Sequence, residues 1–273
     1  MSLIYTPKGR ALEYSPLALS VYTGGCPHGC TYCFNRDIFR GKWTDIALPR
    51  NLKGLEREAA KASRQILLSF AGGDPYGPQE SVYRNTRKAL IVLRDAGCSV
   101  AILTKGGSHC LRDLDLFTNW PGGRIKVGAT LTSWGKAFQE HWEPGAASPC
   151  DRIDALRRLQ EAGIKTWASI EPVIDTEESL AAIDASLPYV DAYKVGKWNH
   201  DTRANEIDWA SFGWCAVDMI HRARRKLYVK ADLRPYLPTG CLRLEECAMD
   251  ALTLPDRNWP RKKLNYLDNS RRF

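Results

Sequence analysis

An α/β chain built around a parallel sheet is predicted by two recurring features and a set of caps. Short apolar runs closing on glycine or proline alternate with longer amphipathic stretches. The runs LALSVYTGG (17–25), QILLSFAGG (65–73), SVAILTKGG (99–107), RIKVGATLT (124–132), TWASIEPV (166–173) and AYKVGKW (192–198) predict six strands, and LYVKADL (227–233) a seventh. Stretches 53–64, 79–96, 109–118, 151–162, 176–187 and 205–225 predict helices between them. Asp151 and Thr176 stand at N-cap positions, and Gly97 and Gly163 where helices should stop. Strands separated by helices of this length pair in parallel through right-handed crossovers. The runs read as apolar on both faces, as a sheet covered by helices requires. Six or seven such units can curl into an open or closed barrel or form a doubly wound sheet, and periodicity leaves that choice open.

In either architecture functional groups gather at the carboxyl ends of the strands. The first run leads into Cys26, Cys30 and Cys33, and the second ends in Gly72, Gly73 and Asp74. Thr104 and Lys105 end the third, Thr130 and Thr132 the fourth and Glu171 the fifth. The sixth brings Lys194, Lys197 and Asn199. One edge of the sheet thus carries sulfur, carboxylate, ammonium and hydroxyl groups together, a mixture a purely structural edge does not need.

The composition is that of a globular protein, 26% charged and 44% hydrophobic over 273 residues. No run of roughly eighteen apolar residues occurs, so no membrane span is expected. The opening MSLIYTPKGRALEY lacks the pattern of a secretion signal, which predicts a cytosolic, reducing address. Nine cysteines, an odd number, do not read as a disulfide framework, and clustered ones point to metal or catalysis. The net charge of +8 permits a polyanionic partner such as nucleic acid, and solvated helix faces account for it equally well. Basic clusters lie at 221–226 (HRARRK), 261–263 (RKK) and 271–272.

GGCPHGCTYCF (24–34) sets three thiols at C-x3-C-x2-C on a glycine-containing loop. Thiolates are the ligands of iron–sulfur clusters, and three of them leave one iron of a cubane open to substrate or cofactor. A zinc site is the alternative, with His28 as a fourth ligand, but His28 lies inside the loop already closed by Cys26 and Cys30, and no second knuckle is evident. Cys241 and Cys247 are a weak candidate pair near the C-terminus.

The loop CPHGCTYC resembles the signature of the radical S-adenosylmethionine (radical SAM) superfamily. PKGRALEYSPLALSVYTGGCPHGCTYC, LLSFAGGDPYGP, AILTKGG, EPGAASPCDRIDAL, SIEPVIDTEESL and YKVGKWN resemble, in order, its DNA-photolyase-like branch related to spore photoproduct lyase, over about 7–199. The resemblance implies a partial (β/α)6 barrel over 1–203 with a basic C-terminal helical extension, 204–273, packed on it. It also implies a [4Fe–4S] cluster on Cys26, Cys30 and Cys33, whose free iron chelates SAM. Reductive cleavage to a 5′-deoxyadenosyl radical, hydrogen abstraction from substrate and an external electron donor such as flavodoxin or ferredoxin are implied as well. Tyr32 matches the aromatic position beside the last cysteine. Gly72, Gly73 and Asp74 match the SAM-amino site; Thr104, Lys105, Glu171 and Lys194 are candidates for SAM's ribose and carboxylate, with Glu171 and Lys194 able to pair with each other.

The hydrogen-donor cysteine of spore photoproduct lyases falls near Ala71, where this chain has no thiol. Radical generation is therefore carried over and dimer repair is not. The expected function is a radical SAM enzyme acting on a nucleic-acid base or nucleotide, with a peptide or small metabolite as the alternative substrate. A non-catalytic metal-containing nucleic-acid-binding protein is the alternative from another class. Cys98 and Cys110 are candidate relays or inert packing. Trp209, Trp214 and Trp259 are candidate base-stacking or packing residues. The oligomeric state is left open.

Overall fold

The computed structural model describes residues 2–39, 41–68 and 71–257. The basic clusters at 261–263 and 271–272, and Trp259, lie outside the described residues. The chain starts with β1 (Ile4–Tyr5), a 3-10 turn (Gly9–Glu13) and β2 (Leu17–Leu19). The first predicted strand then divides in two, the backbone oxygen of Val21 accepting the Arg50 N–H, next to the later strand Leu48–Pro49, and the Asn85 amide. Its second half, β3 (Tyr22–Thr23), leads into the cysteine loop and the short α1 (Asn35–Ile38), then pairs antiparallel with β4 (Leu48–Pro49).

After α2 (Leu55–Lys61) the chain enters β5 (Ile66–Leu68). The predicted helix 79–96 is two, α3 (Glu80–Tyr83) and α4 (Asn85–Asp95), split at Arg84, which adopts φ +51°. The Glu80 carboxylate turns back to accept the Thr86 N–H at 2.8 Å and so caps the second helix. Next come β6 (Val100–Thr104), a 3-10 stretch (Gly107–Asp113), α5 (Leu114–Thr118) and β7 (Ile125–Thr130). Helix α6 (Lys136–Trp142) has no counterpart in the predicted elements. Helix α7 (Pro149–Glu161) is capped by Ser148, whose Oγ accepts the Asp151 N–H, with Pro149 at its first position. Asp175 likewise caps α8 (Thr176–Ser186). Both caps therefore lie upstream of the predicted Asp151 and Thr176, whereas Gly97 and Gly163 do follow helix ends with positive φ. Strands β8 (Lys165–Ile170) and β9 (Ala192–Val195), helix α9 (Trp209–Arg222) and β10 (Lys226–Val229) complete the sheet.

The sheet order is β1-β2-β5-β6-β7-β8-β9-β10, parallel throughout except for β1. Chain order and sheet order coincide, so there is no topological switch point and right-handed crossovers place the helices that link successive strands on one face. That settles the choice left open by periodicity: this is the curved, singly wound sheet of a partial barrel. Among the described residues no pairing joins β10 back to the first strands, so the barrel is open.

Alternation along the strands then decides which side chains face inward. Val100, Ile102, Ile125, Val127 and Ala89–Leu90 form part of one helix-side core; Ala168, Ile170, Tyr193, Val195, Val217 and Ile220 form part of a second. The opposite face is not apolar as predicted. Beside Leu103, Trp167 and Tyr14 it carries Lys126, Ser169, Lys194 and Tyr228, all buried. This concave face is covered by the Gly9–Glu13 turn rather than by helices, and that turn brings backbone carbonyls and the Glu13 carboxylate with it. The Glu13 carboxylate accepts the Tyr228 hydroxyl and the Ala231 N–H, each at 2.8 Å. No helix among the described residues is long and apolar enough to cross a membrane.

Candidate active site

A cavity of about 400 Å³ opens at the carboxyl ends of the strands. Cys26, Cys30, Cys33 and Tyr32 form one side of it, Asp74, Thr104 and Lys105 another, and Glu171, Asn199 and Lys230 a third.

The cysteine loop is braced by backbone on two sides. The Cys26 N–H donates to Thr44 O at 3.0 Å, the Thr31 N–H to Trp142 O at 2.9 Å and the Gly145 N–H to His28 O at 2.9 Å. Gly145 is required for the last contact, since a Cβ there would stand 2.2 Å from Pro27 O. His28 is held through Nδ1, 3.0 Å from Gly145 O, while its Nε2 faces Asp74 Oδ2 at 3.2 Å, off the line of a hydrogen bond. It is thereby a support for the loop, leaving three sulfurs as the soft donors. Among the described residues no three His, Cys, Asp or Glu side chains converge as a single metal ion would require. Cys241 and Cys247 do not line the cavity.

Asp74 organises the second side. Its carboxylate accepts Thr104 Oγ1–H at 2.5 Å and the N–H groups of Tyr76 and Lys105 at 2.8 Å each. Burial alone would raise its pKa, but His28 and these donors outweigh it and hold the carboxyl at about 2. Gly72 and Gly73 do not line the cavity; they are needed where the chain passes the cysteine loop. A Cβ on Gly72 would meet Tyr22 O at 2.1 Å, and one on Gly73 would meet Gly25 O at 2.6 Å.

Beneath the loop lies a network that the sequence analysis did not assign. Glu143, at the end of α6, is wholly buried and paired with the buried guanidinium of Arg152 from α7. The same carboxylate accepts the Thr132 hydroxyl at 2.9 Å and the Tyr32 hydroxyl, and lies 3.4 Å from Lys105 Nζ. Lys105 Nζ in turn donates to Tyr32 Oη at 2.5 Å and sits 3.8 Å from Cys30 Sγ. Burial works to lower the Lys105 pKa, yet Cys30 and Glu143 outweigh it and raise the value. Burial likewise opposes ionisation of Glu143, but Arg152 and Lys105 bring it down to about 2.

Both carboxyls sit below their ordinary values of 3.8 and 4.5. Their stabilising contribution is therefore complete above about pH 4.5 and disappears as pH falls toward 2. Melting temperature followed against pH should decline through that window, and Asp74→Asn or Glu143→Gln should flatten the decline.

The expected Glu171–Lys194 pair is not formed. Glu171 pairs instead with Lys230, which follows β10, and accepts Tyr14 Oη–H at 2.9 Å and Asn199 Nδ2–H at 3.1 Å. Asn199 also donates to Asp232, which meets Arg10 at 2.5 Å. Gly196 makes room for the pair, since a Cβ there would stand 2.8 Å from Lys230. Lys194 points into the concave face behind Tyr14, its Nζ donating to the carbonyl oxygens of Glu13 and Tyr14. It does not line the cavity, and burial, with Lys126 and Lys230 as like charges, pushes its pKa well below the usual lysine range. The alternation Tyr228–Lys230 in LYVKADL was the signal for the true partner of Glu171.

Cys98 and Cys110 are buried in the helix-side core, and Trp209 packs on Phe212 with its ring centroid 6.2 Å away. Trp214 is exposed.

A sequence profile of the radical SAM superfamily matches residues 20–186, more than half of the chain. The chain belongs to the radical SAM superfamily. It is an enzyme of that class, whose cofactors are a [4Fe–4S] cluster and SAM. An uncharacterized protein of Methanocaldococcus jannaschii is 34% identical over 155 residues, covering 55% of this chain and 58% of that one. A radical SAM Nα-GlyT isomerase of a Pseudomonas phage is 28% identical over 157 residues, covering 56% and 32%. The matches thus span less than two thirds of either relative's length. Among solved structures, a spore photoproduct lyase mutant superposes with TM-score 0.64 at 13% identity over 83% of this chain and 79% of that chain. Streptococcus suis SuiB bound to its precursor peptide gives 0.56 at 17% identity over 78% and 47%. At such identities the likeness to this radical SAM chain is one of fold.

The residues present fit the cofactors. Three thiols share one wall of a cavity large enough for a SAM-sized ligand, and the imidazole beside them is already engaged.

Proposed function

We propose that this radical SAM enzyme removes a hydrogen atom from a nucleic-acid base or nucleotide, as a repair or modification step. The observation that carries this reading is the mouth of the cavity, which combines flat aromatic rings with cations. Phe34, from the residue after the last cysteine, faces His200 with ring centroids 5.7 Å apart and planes inclined at 31°, and both line the cavity. Lys8 and Lys197 stand at the same rim. Rings stack on bases whatever their sequence, and ammonium groups neutralise phosphate. A spore photoproduct lyase bound to a dinucleoside spore photoproduct shares the fold; so does SuiB with its peptide, which makes a peptide the reading to test against.

In this reading Cys26, Cys30 and Cys33 hold the cluster, while Tyr32, Asp74, Thr104, Lys105 and Glu171 border SAM. When bound, the pair supplies one-electron cleavage of a sulfonium carbon–sulfur bond and hence a hydrogen-abstracting carbon radical. The chain's own contribution is placement. Lys105 sets a positive charge beside Cys30, Asp74 fixes Thr104 and the Lys105 backbone, and Glu171 with Asn199 offers oxygen and nitrogen to hydroxyl groups. The reductant is external, a flavodoxin or ferredoxin, and the address is cytosolic.

Reconstituted protein given dithionite, SAM and a single-stranded oligonucleotide deuterated at the bases should release deuterated 5′-deoxyadenosine. Phe34→Ala should raise KM for the oligonucleotide about 10-fold, since one base stack is worth roughly 1–3 kcal/mol, while leaving kcat nearly unchanged. Deuterium transfer from a labelled peptide but never from the oligonucleotide would exclude the nucleic-acid reading.

A further inference from the structure

A second cavity, of about 380 Å³, lies at the opposite end of β10 from the active-site cavity. Lys226 and Leu227 line it, whereas Lys230, just past the other end of that strand, lines the first. Lys226 and Lys230 are four steps of extended chain apart, roughly 13 Å at about 3.3 Å per residue. Its floor is the segment carrying Ala251 and Leu252, which crosses the amino-terminal end of the barrel: Leu252 O accepts Lys126 Nζ, and the Leu254 N–H donates to Gln65 Oε1 at 2.9 Å.

Its wall is cationic. Arg224, Arg225 and Lys226 are consecutive, and Arg243 faces the same space, against two carboxylates, Glu245 and Glu246. Glu246 is already committed: it is buried, holds His221 Nε2 at 2.7 Å, accepts the Arg243 N–H at 2.8 Å and lies 3.9 Å from the Arg243 guanidinium, a long contact that leaves most of that fork to the cavity. Among the described residues the side chains of Arg224 and Lys226 carry no hydrogen bond or ion pair. Arg225 uses Nη2 on Pro188 O at 3.2 Å, leaving its buried Nε without a partner.

The backbone adds an independent observation. Arg224 follows the C-cap of α9 with φ +55°, the position where helices ordinarily place glycine because a Cβ is strained there. A long cationic side chain stands where the fold alone would favour none. Three consecutive cations where α9 gives way to β10 repel one another, and a bound anion relieves that repulsion.

We propose that this cavity is a phosphate-binding site, separate from the catalytic one, in which Arg224, Arg225, Lys226 and Arg243 hold the oxyanion. The phosphate comes either from a small phosphorylated molecule or from a nucleic-acid backbone, and the cavity chemistry is the same for both. The test uses the full chain and Arg224→Gly/Lys226→Gln. Each is titrated calorimetrically with inorganic phosphate and, separately, with a single-stranded oligodeoxynucleotide at several KCl concentrations. If the source is a small molecule, phosphate binds saturably and the double variant weakens it at least 10-fold. If the source is a polymer, only the oligonucleotide binds, and the slope of log Kd against log salt falls in the variant by about 1.4, two contacts at about 0.7 each. Arg224→Gly alone should raise the melting temperature, so lost binding in the variant is not unfolding. Equal binding of both probes by variant and parent, or no binding of either by the parent, overturns the proposal.

Discussion

Replacing Glu143 with alanine is expected to destabilise the protein by about 3–5 kcal/mol, the cost of leaving a buried cation without its counterion. Arg152 is 1% exposed and cannot turn to water. Two of its donors remain satisfied by Ala147 O and Thr130 O, each at 2.9 Å, but its second terminal nitrogen loses its acceptor. The same substitution strips Tyr32 and Thr132 of an acceptor and Lys105 of a counter-charge, so the damage reaches the cysteine loop. A double variant, Glu143→Leu with Arg152→Met, should recover part of the loss, because apolar residues of similar volume remove the charge along with its partner. Stability is not the only readout. Lys105 in the double variant still lacks its carboxylate, so SAM cleavage should stay impaired after the fold is restored. Denaturant unfolding of both variants checks the first statement: a single variant no less stable than the double would show that the ion pair is not what anchors α7 beneath the loop.

What the sequence made legible follows from chain-local physics. Strand ends, glycines after helices and the three-thiol loop are all local patterns, and they put Cys26, Asp74, Lys105 and Glu171 on the rim of one cavity. The break at Val21 was invisible because it depends on partners far along the chain, Arg50 and Asn85; the break at Arg84 is local, but it turns on the Glu80 carboxylate folding back onto the Thr86 N–H, which an uninterrupted amphipathic pattern does not signal. Partner choice failed for the first of these reasons. Glu171 and Lys194 end neighbouring strands, yet the concave face admits the Glu13–Tyr14 carbonyls above Lys194 and leaves Lys230 for Glu171. Glu143 and Arg152 stood in EPGAASPCDRIDAL with no strand end to mark them. Only the fold brings Glu143 to Tyr32, 111 positions away.

Replacing Cys30 with alanine is expected to yield a colourless protein that binds little iron and shows no SAM cleavage above background. Burial, with Asp74 nearby, pushes the Cys26 thiol up to about 12, and burial also raises Cys30. Without iron these groups are therefore thiols, and loading must displace their protons, so no sulfur is a spare: each one lost removes a ligand that the cavity cannot replace, with His28 already held by Gly145 and facing Asp74. The loop's shape does not depend on its sulfurs, since contacts from Thr44, Trp142 and Gly145 are backbone to backbone. The metal-free variant should then melt within a few degrees of the metal-free parent, which separates loss of a ligand from loss of fold. Cys98→Ala and Cys110→Ala serve as the contrast, because both thiols are buried in the helix-side core away from the cavity, and both variants should keep the brown colour and the activity. Full iron and sulfide content in the Cys30 variant, or loss of the cluster in the Cys98 and Cys110 variants instead, would move the cofactor off this loop and take the proposed chemistry with it.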